Sequence, residues 1–155
     1  SKKATKLLIA SDAGYGFIAP FDELISKNKA GKALLKLPEN AKVLTPKSVS
    51  DYNSDLIAAV TNDGKLLVFP VRELPELPKG KGNKILNIPS AKSKQREEYL
   101  IDVAIVASGE SLKIISGKRH MILKTADLEH YMGERGRRGS KLPRGYQKVD
   151  SLVVE

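Results

Sequence analysis

Apolar residues fall in short blocks along this chain, each followed by a turn and then by a second apolar block. Leu7-Leu8-Ile9-Ala10 precedes Ser11-Asp12-Ala13-Gly14, and residues 15–21 return. Aspartate bonds its own backbone in such turns and glycine supplies positive φ, so a β-hairpin is predicted. Leu56-Ile57-Ala58-Ala59-Val60, Thr61-Asn62-Asp63-Gly64 and residues 65–71 repeat the pattern. Asp-Gly between apolar runs is a strong short-range hairpin signal. Leu112-Lys113-Ile114-Ile115, Ser116-Gly117-Lys118-Arg119 and residues 120–124 repeat it again. After each hairpin comes a basic, glycine-containing loop and an apolar stretch that ends on proline. The predicted third strands are 33–37 and 85–88, closed by Pro38 and Pro89, with a degraded copy at Leu142-Pro143. Fourth strands are predicted at Val43-Leu44 with Ser48-Val49 (broken by Pro46), at 99–107 and at 148–154. Residues 99–107 are apolar enough for burial on both faces. Residues 91–98 read as an exposed loop, and helical periodicity is weak beyond one turn at 128–132.

Spacing supports an internal repeat. Gly14 to Gly64 and Leu24 to Leu74 are each 50 residues, and Leu74 to Leu128 and Gly82 to Gly136 are each 54. Gly31, Gly82 and Gly136 each precede a proline by 7 residues. A period near ~50 with about four short strands is the signature of blade-type β architecture. The expectation is an all-β, propeller-like array of about three four-stranded antiparallel blades in one domain over 1–155, with repeats near 7–54, 55–109 and 110–155. Each unit alone is too small to bury its apolar faces, so the three should stack and share a core. Closed propellers take roughly four to eight blades, so the ring is incomplete or part of a larger one.

Charge changes this picture from architecture to function. The chain has 155 residues, 27 Lys+Arg against 18 Asp+Glu and a net charge of +9. That excess suggests an anionic partner, nucleic acid before membrane, because no basic amphipathic helix is present. No apolar run approaches the ~20 residues of a membrane span, and nothing behind the N-terminal lysines serves as a signal peptide. The cations concentrate in the loops. The first loop has Lys27, Lys29 and Lys32, the second Lys79, Lys81 and Lys84, and the third Arg135, Arg137, Arg138, Lys141 and Arg144. Lys118 and Arg119 occupy the third hairpin turn. A solvated basic loop explains any one of these, whereas three in phase make a curved positive track along a rim. Duplex DNA carries one charge per ~1.7 Å of axis, so such a track collects phosphate contacts. Gly80, Gly82, Gly136 and Gly139 let backbone N–H groups approach phosphate. The main contact is expected over 135–148. Three Phe and five Tyr are too few for single-strand stacking.

Catalytic constellations are not found. With no cysteine and no acidic ladder, His120 and His130 read as surface histidines rather than metal ligands. Ser11-Asp12 has no histidine partner nearby and reads as turn chemistry. Gly14-Tyr15-Gly16 lacks the following helix of a dinucleotide loop. The chain is expected to be no enzyme, with no cofactor, metal or small-molecule substrate of its own.

Residues 10–17 (Ala-Ser-Asp-Ala-Gly-Tyr-Gly-Phe), 79–89 and 133–139 (Gly-Glu-Arg-Gly-Arg-Arg-Gly) resemble the C-terminal domain of ParC, the A subunit of bacterial DNA topoisomerase IV, which is related to that of DNA gyrase A. The resemblance implies a β-pinwheel whose blades exchange strands, with this chain as the C-terminal part of a larger ring. It implies a non-catalytic duplex-DNA-binding and bending module of a type IIA topoisomerase. The basic rim would hold the transported segment for decatenation and supercoil relaxation. It also implies, for the holoenzyme, ATP and Mg2+, with the remainder of ParC and the ATPase B subunit in a heterotetramer. A cytoplasmic, nucleoid-associated location is implied, with peripheral inner-membrane association within the family's range. The family's cleavage tyrosine lies outside this region, so Tyr15, Tyr52, Tyr99, Tyr131 and Tyr146 carry no such role. Gyrase domains have a Gln-Arg-Arg-Gly-Gly-Lys-Gly box; residues 133–139 lack the glutamine and shift the glycines, which favours topoisomerase IV. The alternative is a protein-interaction module that docks the rest of the topoisomerase or a condensin-type chromosome protein.

Overall fold

The computed structural model describes residues 6–20 and 35–155. The predicted hairpins form as β1 (Lys6–Ala10) with β2 (Tyr15–Pro20), β4 (Leu56–Thr61) with β5 (Lys65–Pro70), and β8 (Leu112–Ser116) with β9 (Arg119–Leu123). Each gains a strand on one side: β3 (Lys47–Val49) on β1, β7 (Leu100–Val106) on β4, and β11 (Ser151–Val154) on β8. On the other side, two sheets take a strand from farther along the chain. β6 (Asn83–Lys84) pairs with β2, and β10 (Ser140–Lys141) pairs with β5. The described sheets are therefore β3-β1-β2-β6, β10-β5-β4-β7 and β11-β8-β9, all antiparallel.

The four-strand expectation is met in the first two sheets; the third has three strands, and the β9 edge carries none among the described residues. A second difference concerns 85–88. These residues are no strand, because their backbone groups serve two neighbours rather than one ladder. Ile85 N–H donates to the Gly14 carbonyl at 2.6 Å and Asn87 N–H to the Arg137 carbonyl at 2.9 Å. Of the predicted strand 33–37, residues 33 and 34 lie outside the described residues, and Leu35 makes only an isolated bridge to Gly80. The fourth strand of the first sheet begins after Pro46, with Val43 reduced to a bridge to Ser11. Residues 91–98 are not simply an exposed loop: α1 (Ser90–Lys94) starts directly after Pro89, and Ser93 and Glu98 are buried. A short helix α2 (Thr125–Leu128) and a 3-10 turn at Glu129–Tyr131 replace the single predicted turn. The last strand starts at Ser151 rather than at 148.

Alternation on the middle sheet explains how three sheets share a core. Ile57, Ala59, Leu67 and Phe69 pack with Leu8, Ile18 and Val49 of the first sheet. Ala58, Val60, Leu66 and Val68 point the opposite way, onto Leu112, Ile114 and Leu152 of the third. Unbroken apolar runs such as Leu66-Leu67-Val68-Phe69 are what a sheet covered on both faces requires. Each such side chain fully buried contributes about 1.5–3 kcal/mol.

The strands β3, β7 and β11 meet along one side, and Asp102 of β7 ties them. Its Oδ1 accepts from Lys47 Nζ of β3 at 3.2 Å, and its Oδ2 accepts from the Leu152 backbone N–H of β11 at 3.0 Å. β6 and β10 lie on the opposite edges of their sheets. Among the described residues no helix is long and apolar enough to cross a membrane.

Candidate nucleic-acid interface

The loop that contains Lys79, Lys81 and Lys84 is held against the first sheet. Asn83 and Lys84 pair with Gly16 and Tyr15. Gly82 has φ +90° and sits so close that a Cβ would run into the Gly16 carbonyl. Its absence of a side chain therefore serves docking. Lys79 and Lys81 are exposed. The Lys81 ammonium lies 4.4 Å from the centroid of the Tyr15 ring, close enough for a cation–π contact. Lys84 is half-buried, and its Nζ donates to Asn87 Oδ1 at 2.8 Å.

The loop over 134–141 repeats this construction on the second sheet. Ser140 and Lys141 pair with Leu66 and Lys65, and a Cβ on Gly139 (φ +85°) would lie 2.9 Å from the Leu66 carbonyl oxygen. Two of its arginines turn inward. Arg135 Nη1 donates to the Lys84 carbonyl at 2.8 Å. Arg138 donates to the Asn87 carbonyl at 2.6 Å and to Glu98 Oε1 at 3.2 Å. Glu98 is 3% exposed; its Oε2 lies 3.1 Å from Arg138 Nη2 without hydrogen-bond geometry and 3.6 Å from Lys65 Nζ. Lys65 also donates to Asp63 at 2.6 Å. Burial pushes the Asp63 carboxyl up, but the hydrogen bonds from Lys65 and Thr61 outweigh it and hold the group below its ordinary value. Arg135 and Arg138 thus fasten the loop to its neighbour. Arg137 points out: its side chain is 70% exposed and, among the described residues, pairs only with Glu134, itself 75% exposed.

Removing Arg138 strands the buried Glu98 carboxylate with Lys65 alone. Breaking a buried pair costs roughly 3–5 kcal/mol, and the guanidinium is 38% exposed, so Arg138→Met is expected to cost about 2–3 kcal/mol. Urea unfolding measures this. Adding Glu98→Gln should recover most of the loss, and a double variant no more stable than the single one would remove the pairing from the account.

Lys141 and Arg144 are exposed. Lys118 and Arg119 are exposed at the β8–β9 turn, where Arg119 packs over Gly145. Lys27, Lys29 and Lys32 lie outside the described residues. The loops also align differently in space than in sequence. Gly82 and Gly139 occupy matching places against β2 and β5, whereas the glycine-to-proline spacing matched Gly82 with Gly136. The structural match makes Lys84 the counterpart of Lys141, each the last residue of its exchanged strand. Among the described residues no group of three or more His, Asp or Glu converges.

Two of the three described sheets thus borrow a strand from farther along the chain. The family model of the DNA gyrase C-terminal domain, beta-propeller, matches residues 5–50 and 55–107. The chain belongs to this family. Within the gyrase C-terminal domain family its similar relatives are the DNA topoisomerase 4 A subunits of Pseudomonas aeruginosa, 57% identical over 148 residues, and of Haemophilus influenzae, 50% identical over 151. They cover 96% and 97% of this chain, while the chain spans 20% of the length of each. The solved E. coli ParC C-terminal domain superposes with a TM-score of 0.86 at 46% identity, covering all of this chain and 62% of that one. A DNA gyrase A C-terminal domain shares the fold at a TM-score of 0.75 and 14% identity, covering 99% of this chain and 50% of that one. The β-pinwheel expectation and the resemblance to the topoisomerase IV ParC chain both hold.

Proposed function

We propose that this chain is a non-catalytic duplex-DNA-binding and bending module of a type IIA topoisomerase, holding the transported segment on a basic rim during decatenation and supercoil relaxation. The observation that carries the reading is the repeated docking. Consecutive loops are clamped onto consecutive sheets by Gly82 and Gly139, and each presents exposed cations: Lys79 and Lys81 on one, Arg137 and Lys141 on the next. Cations fixed on a rigid frame meet a regular array of phosphates with little ordering cost, and a curved row of them favours bent duplex. The similar topoisomerase 4 chains support placing this module in such an enzyme. The remainder of the ParC chain and the ATPase B subunit, with ATP and Mg2+, would supply strand passage.

The test is the salt dependence of duplex affinity. Four phosphate contacts give a slope of log K against log salt of about −3.6. A slope near zero would overturn the reading.

A further inference from the structure

Beside the β2–β6 edge of the first sheet, facing α1, lies a cleft of about 230 Å3. Pockets for drug-sized ligands run from roughly 300 to 1,000 Å3, so this one suits a smaller group. Tyr15 of β2 and its cross-strand partner Lys84 of β6 line it, together with Ser90, Ser93 and Lys94 of α1. Ser93 is 4% exposed, and its hydroxyl has no hydrogen-bond partner among the described residues. A buried hydroxyl without a partner calls for a reason, because nearly all such groups are satisfied. Here it accompanies two ammonium groups. Lys84 keeps two of its three N–H donors after bonding Asn87. Lys94 pairs with Glu39, the one acidic residue of the lining, at 3.6 Å, with side chains 55% and 67% exposed. An exposed pair of that kind contributes little and yields to a better acceptor. Lys81, stacked on Tyr15, adds a further cation beside the mouth.

Two ammonium groups and an unsatisfied hydroxyl around a small cleft outnumber the one exposed carboxylate, Glu39, that shares it. We propose that the cleft is a phosphate-ester subsite that seats one backbone phosphate of bound duplex between the β2–β6 edge of the first sheet and α1, with Ser93, Lys84 and Lys94 as its donors. The proposal rests on the duplex-binding reading and adds to it contacts from α1, a segment apart from the cationic loops.

The two variants differ in their salt dependence. Ser93→Ala removes an unsatisfied polar atom, so its melting temperature should rise by a few degrees or hold. Its duplex affinity should fall several-fold with an unchanged salt slope, because a neutral donor releases no counterion. Lys94→Gln should lower affinity several-fold and make the salt slope shallower by about 0.9. Anisotropy of a labelled duplex reads both. Wild-type affinity in both variants overturns the subsite; if charge reversal in the loops still abolishes binding, the duplex reading survives it, and if that too has no effect, both fall. Inorganic phosphate provides the second arm. A shift of the Ser93 amide resonance with phosphate but not with duplex would assign the cleft to free phosphate and overturn the DNA source.

Discussion

Replacing Lys79, Lys81 and Arg137 together by glutamate is expected to lower affinity for a short duplex on the order of 500-fold at 0.1 M salt, from about eightfold per lost phosphate contact. Repulsion by the three new carboxylates pushes the loss further. These positions are chosen because the fold does not depend on them. Lys79 is exposed, and among the described residues Arg137 pairs only with an exposed Glu134, a contact of about 0–1 kcal/mol. The Lys81–Tyr15 stack contributes roughly 0.5–1 kcal/mol at an exposed site. The variant should therefore melt close to the parent, which makes its binding loss interpretable. The same substitution at Arg135 and Arg138 would not, since their guanidiniums hold the Lys84 and Asn87 carbonyls. Duplex affinity within a factor of two of the parent, in a variant that melts normally, would remove both loops from the interface.

Gly82→Ala should be the most damaging single substitution in the loops. Two costs add. A residue with a Cβ at φ +90° carries a backbone penalty of roughly 1–2 kcal/mol. The new methyl also meets the Gly16 carbonyl, backbone that cannot swing aside, and overpacking of that kind costs about 1–3 kcal/mol. Together they amount to about 2–5 kcal/mol, a large part of the ~5–15 kcal/mol that holds a typical domain folded. The melting temperature should fall on the order of 10 °C. Gly80→Ala is the matched control: φ there is +121°, yet nothing lies within 4 Å of its Cβ, so only the backbone term applies. Equal losses at the two positions would show that docking against β2 contributes nothing. Because the docked strand also carries the loop cations, duplex binding should weaken in step with Gly82→Ala and hardly at all with Gly80→Ala.

Local signals in the sequence reach as far as the hairpins. Ser11-Asp12-Ala13-Gly14 and Asp63-Gly64 mark their turns without help from the rest of the chain, and consecutive apolar residues in 66–69 announce a sheet covered on both faces. The exchanged strands leave no such mark. β6 and β10 are two residues each, too short for any period, and their partners lie more than fifty residues upstream. Glycine spacing therefore matches Gly82 with Gly136, while the sheet edge matches it with Gly139. Composition is equally blind to direction. Arg135, Arg137 and Arg138 look alike in sequence, and only the carbonyls of Lys84 and Asn87 and the carboxylate of Glu98 separate fasteners from free cations. α1 is too short to show a helical period, and the burial of Ser93 and Glu98 follows from neighbours that a linear reading does not supply.

Strand borrowing also has a consequence in time. A ribosome delivers β2 long before β6, and the first sheet cannot close its edge until Lys84 has emerged. At roughly 5–20 residues per second, the interval from Pro20 to Lys84 lasts about 3–13 s. Through it, the edge of β2 at Tyr15 and Gly16, next to the wholly buried Phe17, stands open. β5 then waits in the same way for Ser140. Each nascent sheet thus passes through a window of stickiness whose length is set by translation speed, and slowing elongation between β2 and β6 should raise the share of chains captured by chaperones or lost to aggregation.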